Sequence, residues 1–282
     1  MPSIYFFMLF KGVKMNFGEY LTTHPNISQS ILRDIKWFGC ELLNCSLFNL
    51  NNQQLSAMQI KKLNSTVKKL KKDVPLAYIT KSAYFYNQKF FVNKNVLIPR
   101  METEQLLEVI INENKDKKDL KILDMCTGSG CIAITLKNNL NCVVTAVDYS
   151  TSALKVAKKN AKLLNAQINF VHSNMFDKLD TKYDIIVSNP PYIKTDTIKT
   201  LGNNVKDYEP KQALDGGQDG LDFYKIIATT APQYLKENGV LYLEIGHDQG
   251  TTVPKLLKTN FKDIIVKKDY DNQSRIVKCI RR

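Results

Sequence analysis

Residues 121–130 read KILDMCTGSG, an apolar strand-like run that ends in an aspartate and opens into a turn containing two glycines. Open α/β sheets bind ligands at the carboxyl ends of their strands, and glycines there remove side chains where a ligand must touch the backbone. The turn lacks both the Gly-Lys-Ser/Thr of a phosphate-binding loop and the third glycine of the dinucleotide fingerprint. Taken alone, it predicts either a ligand-binding loop or a tight structural turn.

From about residue 103 onward, apolar runs that resemble strands alternate with helical stretches. The candidate strands are 121–125, 142–147, 168–172, 183–188, 240–245, 263–267 and 275–280, with helices such as 152–164 and 221–237 between most of them. This alternation predicts an α/β fold with a mostly parallel seven-stranded sheet covered on both faces. Since only a short polar turn separates the last two strands, we expect a terminal hairpin and an antiparallel edge strand.

Residues 16–74 show helical periodicity instead. Apolar residues recur at helical spacing in two series, Ile31, Ile35, Phe38 and Leu42, then Ile60, Leu63, Val67 and Leu70. We expect Pro75 to end this helical region. The opposite face of the second series carries Lys61, Lys62, Lys68, Lys69, Lys71 and Lys72. That face is interpreted either as a solvated surface or as a docking surface for an acidic or RNA-containing partner.

Aromatic residues on both sides of Asn87-Gln88 predict a β-hairpin between the helical region and the sheet region. The apolar run near the amino terminus is short for a signal sequence, and Met15 lies just downstream of it. We therefore divide the chain into a start-site extension (1–14), an N-terminal helical domain (15–80), a hairpin linker (81–99) and a sheet domain (100–282).

The composition of the 282 residues narrows the class of protein. Hydrophobic residues make up 44% and charged residues 24%, which is typical of a globular chain rather than a disordered one. No apolar run approaches the roughly 18–20 residues that a membrane span needs. The six cysteines show no CxxC pair, so we expect reduced thiols. The formal net charge of +13 fits an acidic or nucleic-acid partner, but a composition rich in lysine and asparagine can also reflect background usage.

Asp148 ends the second candidate strand, twenty residues after Gly128. An acidic residue about 20 residues after a glycine loop can hold the hydroxyls of a ribose, because a carboxylate accepts two hydrogen bonds from a vicinal diol. The alternative is that Asp148 caps the following helix. Loop and acid together predict a nucleoside pocket. Without a pyrophosphate signature, S-adenosylmethionine is a better candidate than a dinucleotide.

Residues 189–192, after the fourth candidate strand, read NPPY. The two prolines fix the backbone and lack N–H donors. The side-chain oxygen of Asn189 and the main-chain oxygen of Pro190 could together accept both hydrogens of a planar –NH2 group, leaving its lone pair to face an electrophile. Tyr192 offers a flat surface for a planar amide or base. The motif therefore favours an amine-positioning site over a simple strand-ending turn.

These two loops resemble those of class I S-adenosylmethionine-dependent amino methyltransferases. Three flanking blocks are more specific: LIPRMETE at 97–104, YEPKQALDGGQDGL at 208–221 and LEIG at 243–246. The set is similar to the HemK/PrmC family, the glutamine N5-methyltransferases of peptide chain release factors, from about Pro75 to Val277.

The resemblance implies a Rossmann-like methyltransferase domain and an enzyme that uses S-adenosylmethionine, releases S-adenosylhomocysteine and needs no metal. It implies a cofactor pocket lined by Cys126, Thr127, Gly128, Ser129, Gly130, Asp148, Asn174, Met175 and Asn189. The implied catalytic residues are Asn189, Pro190, Pro191 and Tyr192, which would hold the glutamine of a Gly-Gly-Gln loop in a class I release factor. The N-terminal helical domain would dock the release factor away from that loop.

The sequence departs from the family pattern at several positions. Cys126 replaces a usual glycine, Met101 a common proline and Lys81 a common glycine. The stretch that contains Asn174 and Met175 replaces a usual acid–tryptophan pair. We expect altered or weaker adenine contacts, with Asn174 still able to hydrogen-bond the base and Met175 able to cover its face.

The sequence is also compatible with three other functions. A ribosomal-protein glutamine methyltransferase would use the same chemistry, and a nucleic-acid adenine-N6 methyltransferase would present a similar –NH2 group to Asn189. A non-enzymatic binding module would be expected to lose Asn189 or Asp148. We expect a cytoplasmic monomer that acts on class I release factors, with no membrane and no obligatory nucleic-acid partner.

Overall fold

A computed structural model describes residues 15–282, and the chain divides between Thr80 and Lys81 into two compact units. The interpretation of residues 1–14 as a start-site extension lies outside the described residues. No helix within the described range is both long and apolar enough to cross a membrane.

The first unit is mainly helical. Its elements are β1 (Met15–Asn16), α1 (Phe17–Thr22), α2 (Gln29–Leu43), a 3-10 turn (Leu50–Asn52), β2 (Gln54–Leu55), α3 (Ala57–Leu70) and α4 (Leu76–Thr80). Asn16, Ser28 and Ser56 cap the first three helices, each accepting a hydrogen bond from the backbone N–H three residues later. These caps satisfy N–H groups that a helix end leaves unpaired, so the local sequence determines where each helix begins.

The two apolar series predicted from the sequence face one core. Ile35 and all four members of the second series are buried, and the remaining members of the first series pack against them. The expectation that Pro75 ends the helical region is wrong, because α4 begins directly after it. The Pro75 carbonyl accepts from the N–H groups of Tyr78 and Ile79. A proline is tolerated at the start of a helix, where its missing N–H has no helical partner to lose.

A β-hairpin opens the second unit. Its strands are β3 (Ser82–Phe85) and β4 (Gln88–Phe91), and its turn residues Tyr86 and Asn87 have φ angles of 48° and 58°. Positive φ at both turn residues is typical of tight hairpins, and it places the turn one residue earlier than predicted. Phe85 and Phe90 are buried in the core of the second unit.

The central sheet has seven strands. They are β5 (Leu120–Met125), β6 (Cys142–Asp148), β7 (Ile168–His172), β8 (Tyr183–Ser188), β9 (Leu235–Glu244), β10 (Phe261–Lys268) and β11 (Ser274–Arg281). Their order is β10-β11-β9-β8-β5-β6-β7, and β5 to β9 pair in parallel. The mostly parallel sheet and its antiparallel edge are confirmed. The reversed strand is β11, which lies second from the edge and pairs antiparallel with both β9 and β10.

Helices cover both faces of this sheet. The helices that pack on it are α5 (Met101–Asn114), α6 (Cys131–Asn139), α7 (Thr151–Leu163), α10 (Asp222–Tyr234) and α11 (Thr252–Leu257). Two short helices, α8 (Thr195–Ile198) and α9 (Asn203–Lys206), lie in the segment after β8. Ile122 belongs to the core under α5, α6 and α7, whereas the next residue, Leu123, belongs to the core under α10 and α11. This alternation is the period of a strand buried on both faces, and it leaves the carboxyl ends of the strands to form the site.

Candidate active site

A cavity of about 500 Å³ lies at the carboxyl ends of β5, β6 and β8. Of the candidate residues, it is lined by Cys126, Thr127, Gly128, Ser129, Asp148, Asn174, Met175, Asn189 and Pro191. The other three candidates, Gly130, Pro190 and Tyr192, are not among its lining residues. The volume is within the range of roughly 300–1,000 Å³ that is usual for small-molecule sites.

The turn after β5 is held largely by groups close to it in the chain. The Asp124 carboxylate accepts hydrogen bonds from the Thr127 hydroxyl (2.5 Å) and the Ala133 N–H (3.1 Å). The Thr127 N–H donates to the carbonyl of Val147 in the neighbouring strand β6 (2.9 Å). These bonds fold the turn back over the end of its own strand, so its backbone faces the cavity.

Asp148 joins this turn to the end of β6. One carboxylate oxygen accepts from the Gly128 N–H (2.8 Å) and the other from the Ser150 N–H (2.8 Å). Burial raises the pKa of Asp148 above its ordinary value. A carboxylate has about four acceptor sites, so two remain for a ligand. The alternative of Asp148 as a helix cap does not describe the structure, because the side chain of Ser150 caps α7.

Gly128 and Gly130 serve different purposes. Gly128 has a φ of +55°, and a Cβ atom added there would meet nothing within 4 Å, so a ligand can approach the backbone closely. Gly130 has a φ of +82°, and its added Cβ would lie 3.1 Å from the Cβ of Ala157 on α7. Gly130 therefore allows α6 and α7 to pack closely, which explains why it does not line the cavity.

Cys126 also has a left-handed backbone conformation, with a φ of 63°. A non-glycine residue rarely adopts this conformation. The family pattern usually has a glycine at this position. Glycine adopts this backbone conformation easily and takes little space beside the cavity. Burial raises the pKa of the Cys126 thiol well above its ordinary value, so the thiol stays protonated near neutral pH.

Asn189 follows β8, and its side-chain nitrogen donates to the hydroxyl of Thr103 on α5 (3.1 Å). The Thr103 hydroxyl in turn donates to the carboxylate of Glu244 at the end of β9 (2.6 Å). The Tyr192 hydroxyl donates to the other oxygen of the same carboxylate (3.4 Å). Sequence reasoning assigned no role to Thr103 or Glu244, although both lie in the flanking blocks quoted above.

Burial raises the pKa of two further carboxyl groups beside the loops, as it does for Asp148. It raises the pKa of the Glu244 carboxyl to about 7, and it raises the pKa of the Asp124 carboxyl to about 7. Burial also raises the pKa of the Tyr192 phenol far above its ordinary value, so the phenol is a hydrogen-bond donor and not a base.

The backbone of the Asn-Pro-Pro-Tyr loop packs against the block at 208–221. A Cβ added at Gly216 would lie 2.8 Å from the Cα of Tyr192, and one added at Gly220 would lie 2.5 Å from the Tyr192 carbonyl oxygen. The Gln249 side-chain amide donates to the carbonyls of both Tyr192 (3.1 Å) and Gly220 (3.0 Å). The two glycines therefore provide the room that the loop needs.

The blocks at 97–104 and 208–221 also join each other. Glu209 is buried, and its carboxylate accepts from the Ile98 N–H (3.2 Å) and forms an ion pair with Arg100. Arg100 and Pro210 both line the cavity. This ion pair therefore connects two sides of the cavity wall.

Comparison with known proteins agrees with this geometry. Residues 101–205 match the family model described as methyltransferase small domain. The release factor glutamine methyltransferase of Lactococcus lactis is 42% identical over 227 residues, covering 80% of this chain and 84% of the relative. That of Streptococcus pneumoniae is 46% identical over 206 residues, covering 72% and 74%. This chain belongs to the release factor glutamine methyltransferase family.

Solved structures support the fold of this family member. A methyltransferase from Pyrococcus furiosus superposes with a TM-score of 0.54 at 15% identity, covering 77% of this chain and 98% of that one. The 16S rRNA N2 G1207 methyltransferase of Thermus thermophilus has a TM-score of 0.53 at 17% identity, covering 71% and 50%. At these identities the likeness concerns the fold, which is that of the class I methyltransferases.

The residues at the cavity fit the cofactor of this methyltransferase family, S-adenosylmethionine. The open side of Gly128 leaves room for a ligand against the backbone, and Asp148 retains acceptor sites suited to ribose hydroxyls. Met175 is buried at the cavity wall, and Asn174 is exposed beside it. These two side chains provide an apolar surface and a polar group of the kind an adenine ring requires.

Proposed function

We propose that this protein methylates the side-chain amide nitrogen (N5) of the glutamine in the Gly-Gly-Gln motif of class I peptide chain release factors. The observation that carries the proposal is the orientation of the Asn189 amide. Because its nitrogen donates to Thr103, its oxygen is left as an acceptor at the cavity. The name of a relative that matches four-fifths of the chain supports glutamine as the methyl-accepting residue, whose side-chain amide would donate a hydrogen bond to the Asn189 oxygen.

The proposed role of the Asn-Pro-Pro-Tyr loop is to hold the substrate amide. The Asn189 oxygen would accept one hydrogen of its –NH2 group, and the Pro190 carbonyl would accept the other. An amide nitrogen is a poor nucleophile because its lone pair is delocalised. Two acceptors in a fixed geometry would favour the pyramidal form, so catalysis would come from positioning and electrostatics.

Cofactor binding is assigned to the turn after β5 and the end of β6, which line the same cavity. Bound S-adenosylmethionine supplies an electrophilic methyl group on a positively charged sulfur. The Asp148 carboxylate would accept from ribose hydroxyls, and the backbone around Gly128 would lie against the ligand. The protonated Cys126 thiol and Tyr192 phenol would not serve as bases, so the amide proton would leave to water after transfer.

The N-terminal helical unit is proposed to dock the release factor. The six lysines on the outer face of α3 and just after it are all exposed, as a surface for an acidic partner requires. A solvated face would have the same exposure, so charge reversal at these lysines is the distinguishing test. We also propose that the enzyme acts as a cytoplasmic monomer.

The experiment that tests the function uses isotope-labelled S-adenosylmethionine and an unmethylated class I release factor. Mass spectrometry should locate one transferred methyl group on the glutamine of the Gly-Gly-Gln motif. A release factor in which that glutamine is replaced by asparagine is the matched control and should remain unlabelled.

Parallel reactions with ribosomes and with DNA address the other candidate functions. A methyl group on a ribosomal-protein glutamine or on an adenine amine, with the release factor unlabelled, would contradict the proposed substrate. Cofactor binding without transfer to any of these substrates would favour a non-enzymatic binding module.

A further inference from the structure

The side chains of Asn189, Thr103 and Glu244 form a short hydrogen-bonded chain. The Asn189 nitrogen lies 3.1 Å from the Thr103 hydroxyl oxygen, which lies 2.6 Å from a carboxylate oxygen of Glu244. Thr103 is 2% exposed and Glu244 is 1% exposed. Burial makes each bond costly to break, because a buried polar group without a partner is strongly unfavourable.

The number of hydrogen atoms available to these three side chains determines the direction of the hydrogen bonds between them. A hydroxyl carries one hydrogen, and an ionised carboxylate can only accept. Above the Glu244 pKa of about 7 the carboxylate is ionised, so the Thr103 hydrogen is committed to Glu244 and the Thr103 oxygen can only accept from Asn189. A flipped Asn189 amide would place its oxygen against the Thr103 oxygen with no hydrogen between them.

The same carboxylate also reaches the last residue of the Asn-Pro-Pro-Tyr loop. Its second oxygen accepts from the Tyr192 hydroxyl at 3.4 Å. The backbone carbonyl of Glu244 accepts from the Tyr224 hydroxyl of α10 at 2.8 Å. Glu244 is thus held through its backbone as well as its side chain, and its two carboxylate oxygens contact Tyr192, the last residue of the loop, and Thr103, which holds the first.

We propose that Thr103 and Glu244 are positioning residues that orient the Asn189 amide, so that its oxygen and not its nitrogen faces the methyl-accepting amide. This inference rests on the proposed function, because it assumes that Asn189 accepts a hydrogen bond from the substrate. Neither residue touches the substrate in this role. Both act through Asn189.

We call the hydrogen-bonded series Asn189, Thr103 and Glu244 the relay. Three variants and one control test it. Thr103→Val removes the hydroxyl at constant shape, and Thr103→Ser retains it. Glu244→Gln introduces an N–H that can donate to Thr103, which frees the Thr103 hydrogen for Asn189. Thr229→Val is the control, since Thr229 is an exposed helical threonine on α10 whose hydroxyl bonds only backbone carbonyls and Thr230.

We expect Thr103→Val and Glu244→Gln to lower kcat by about 10- to 100-fold, because the loss concerns the orientation of one group at the reacting centre. The KM for the release factor and the Kd for S-adenosylhomocysteine should each stay within about threefold of wild type. Thr103→Ser should retain kcat within about threefold, and Thr229→Val should match wild type. The unfolding temperature of each variant separates loss of orientation from loss of fold.

Two kinetic results would overturn the relay. One is a Thr103→Val enzyme with the kcat of wild type, and the other is a Thr103→Ser enzyme as slow as Thr103→Val. A Kd for S-adenosylhomocysteine that weakens as much as kcat falls would also overturn it, because the residues would then act on the cofactor pocket.

A measurement without substrate separates this proposal from the proposed function. In 15N-labelled protein, the side-chain N–H signals of Asn189 should be protected from exchange in wild type and Thr103→Ser, and should lose that protection in Thr103→Val. If wild type methylates no release factor, the proposed function fails, and the relay is judged by this signal alone. Unchanged protection in Thr103→Val would refute the relay whatever the activity.

Discussion

The two loops that form the cavity are held in different ways. The turn after β5 takes its internal bonds from Thr127 and Ala133, three and nine positions from Asp124, and one more from Asp148, twenty positions from Gly128. The Asn-Pro-Pro-Tyr loop is held by Thr103, which is 86 positions from Asn189, and by Glu244 and Gln249, 52 and 57 positions from Tyr192.

The conformation of the turn after β5 is therefore set mainly by residues near it in the sequence, whereas that of the Asn-Pro-Pro-Tyr loop is set by the tertiary fold. A turn held by nearby residues forms with little loss of loop-closure entropy. A loop held by partners on α5, β9 and the segment after β9 takes its shape only when the sheet and its helices have assembled. We therefore expect the second loop to be the more sensitive to changes at a distance.

The largest expected effect is at the centre of the second loop. Asn189→Ala removes the proposed acceptor, and turnover should fall by at least about a hundredfold, as when a single polar group is removed from a transition-state site. The Kd for S-adenosylhomocysteine should change by no more than about threefold, because the cofactor-binding groups lie mainly on the first loop. Asn169→Ala, at an exposed asparagine of β7, is the control. Normal methylation by Asn189→Ala would show that the loop does not hold the amide.

Alanine substitution of Gly128, in the turn after β5, and of Gly220, which packs against the Asn-Pro-Pro-Tyr loop, tests this difference directly. Gly220→Ala places a Cβ 2.5 Å from the Tyr192 carbonyl at a φ of +74°, so it should lower the free energy of unfolding by about 2 kcal/mol or more and also slow turnover. Gly128→Ala meets no atom within 4 Å, and its stability should fall by only about 1 kcal/mol.

Cofactor affinity should show the opposite order for these two variants. The Gly128→Ala side chain enters space beside the cavity and should weaken S-adenosylhomocysteine binding by about tenfold, whereas Gly220→Ala should leave the affinity nearly unchanged. Urea unfolding and calorimetry measure the two properties. Equal effects of both variants on both properties would remove the distinction between the loops.

A pH-dependent effect concerns the carboxyl group inside the first loop. The pKa of Asp124 rises from 3.8 to about 7 because of burial, so the folded protein holds a proton that the unfolded chain releases. Its contribution to stability is present below about pH 4 and is lost as the pH rises to about 7. Asp124→Asn should remove this loss, so the variant gains stability relative to wild type between about pH 4 and about pH 7.

Urea unfolding at about pH 5 and about pH 8 measures that relative gain. Glu244 has a raised pKa as well and contributes with the same sign, but it is present in both proteins and cancels in the difference. Asp180→Asn, at an exposed aspartate, is the matched control for the substitution itself. A constant difference between Asp124→Asn and wild type would mean that Asp124 is ionised throughout.

The smallest expected effect is that of Cys126→Gly. Cys126→Gly removes the strain of a left-handed residue but loses thiol packing and adds freedom to the unfolded chain, so the free energy of unfolding should change by less than about 1 kcal/mol. Cys126→Val should destabilise by about 2 kcal/mol, since a branched side chain tolerates this backbone poorly. Thermal unfolding compares the two variants. A Cys126→Val protein as stable as wild type would mean that the turn is not constrained at this position.

The accuracy of the sequence predictions follows the same division. All seven strands were located, and β5, β6 and β8 are the clearest, because a parallel strand buried on both faces is an apolar run between turns. The first five residues of β9 (Leu235–Glu244) were missed, because the predicted helix was extended to residue 237. The cavity residues on the first loop were identified together, since spacing along one βαβ unit brings Gly128 and Asp148 to the same edge of the sheet. The roles of Pro75 and Gly130 were not identified from the sequence, because each depends on a neighbouring helix that residue spacing does not reveal.

The sequence by itself determined the order of strands and helices, the family, and nine of the residues that line the cavity. Local spacing, backbone preference and hydrophobic period carry that information within a few residues. Only the tertiary structure decided which way Asn189 faces, that Cys126 has a glycine-like conformation, and that Glu244 bonds both Tyr192 and the Thr103 hydroxyl that holds Asn189. Those features depend on single hydrogen bonds between residues far apart in the chain, and a hydrogen bond requires an exact distance and direction that exist only after the sheet has formed.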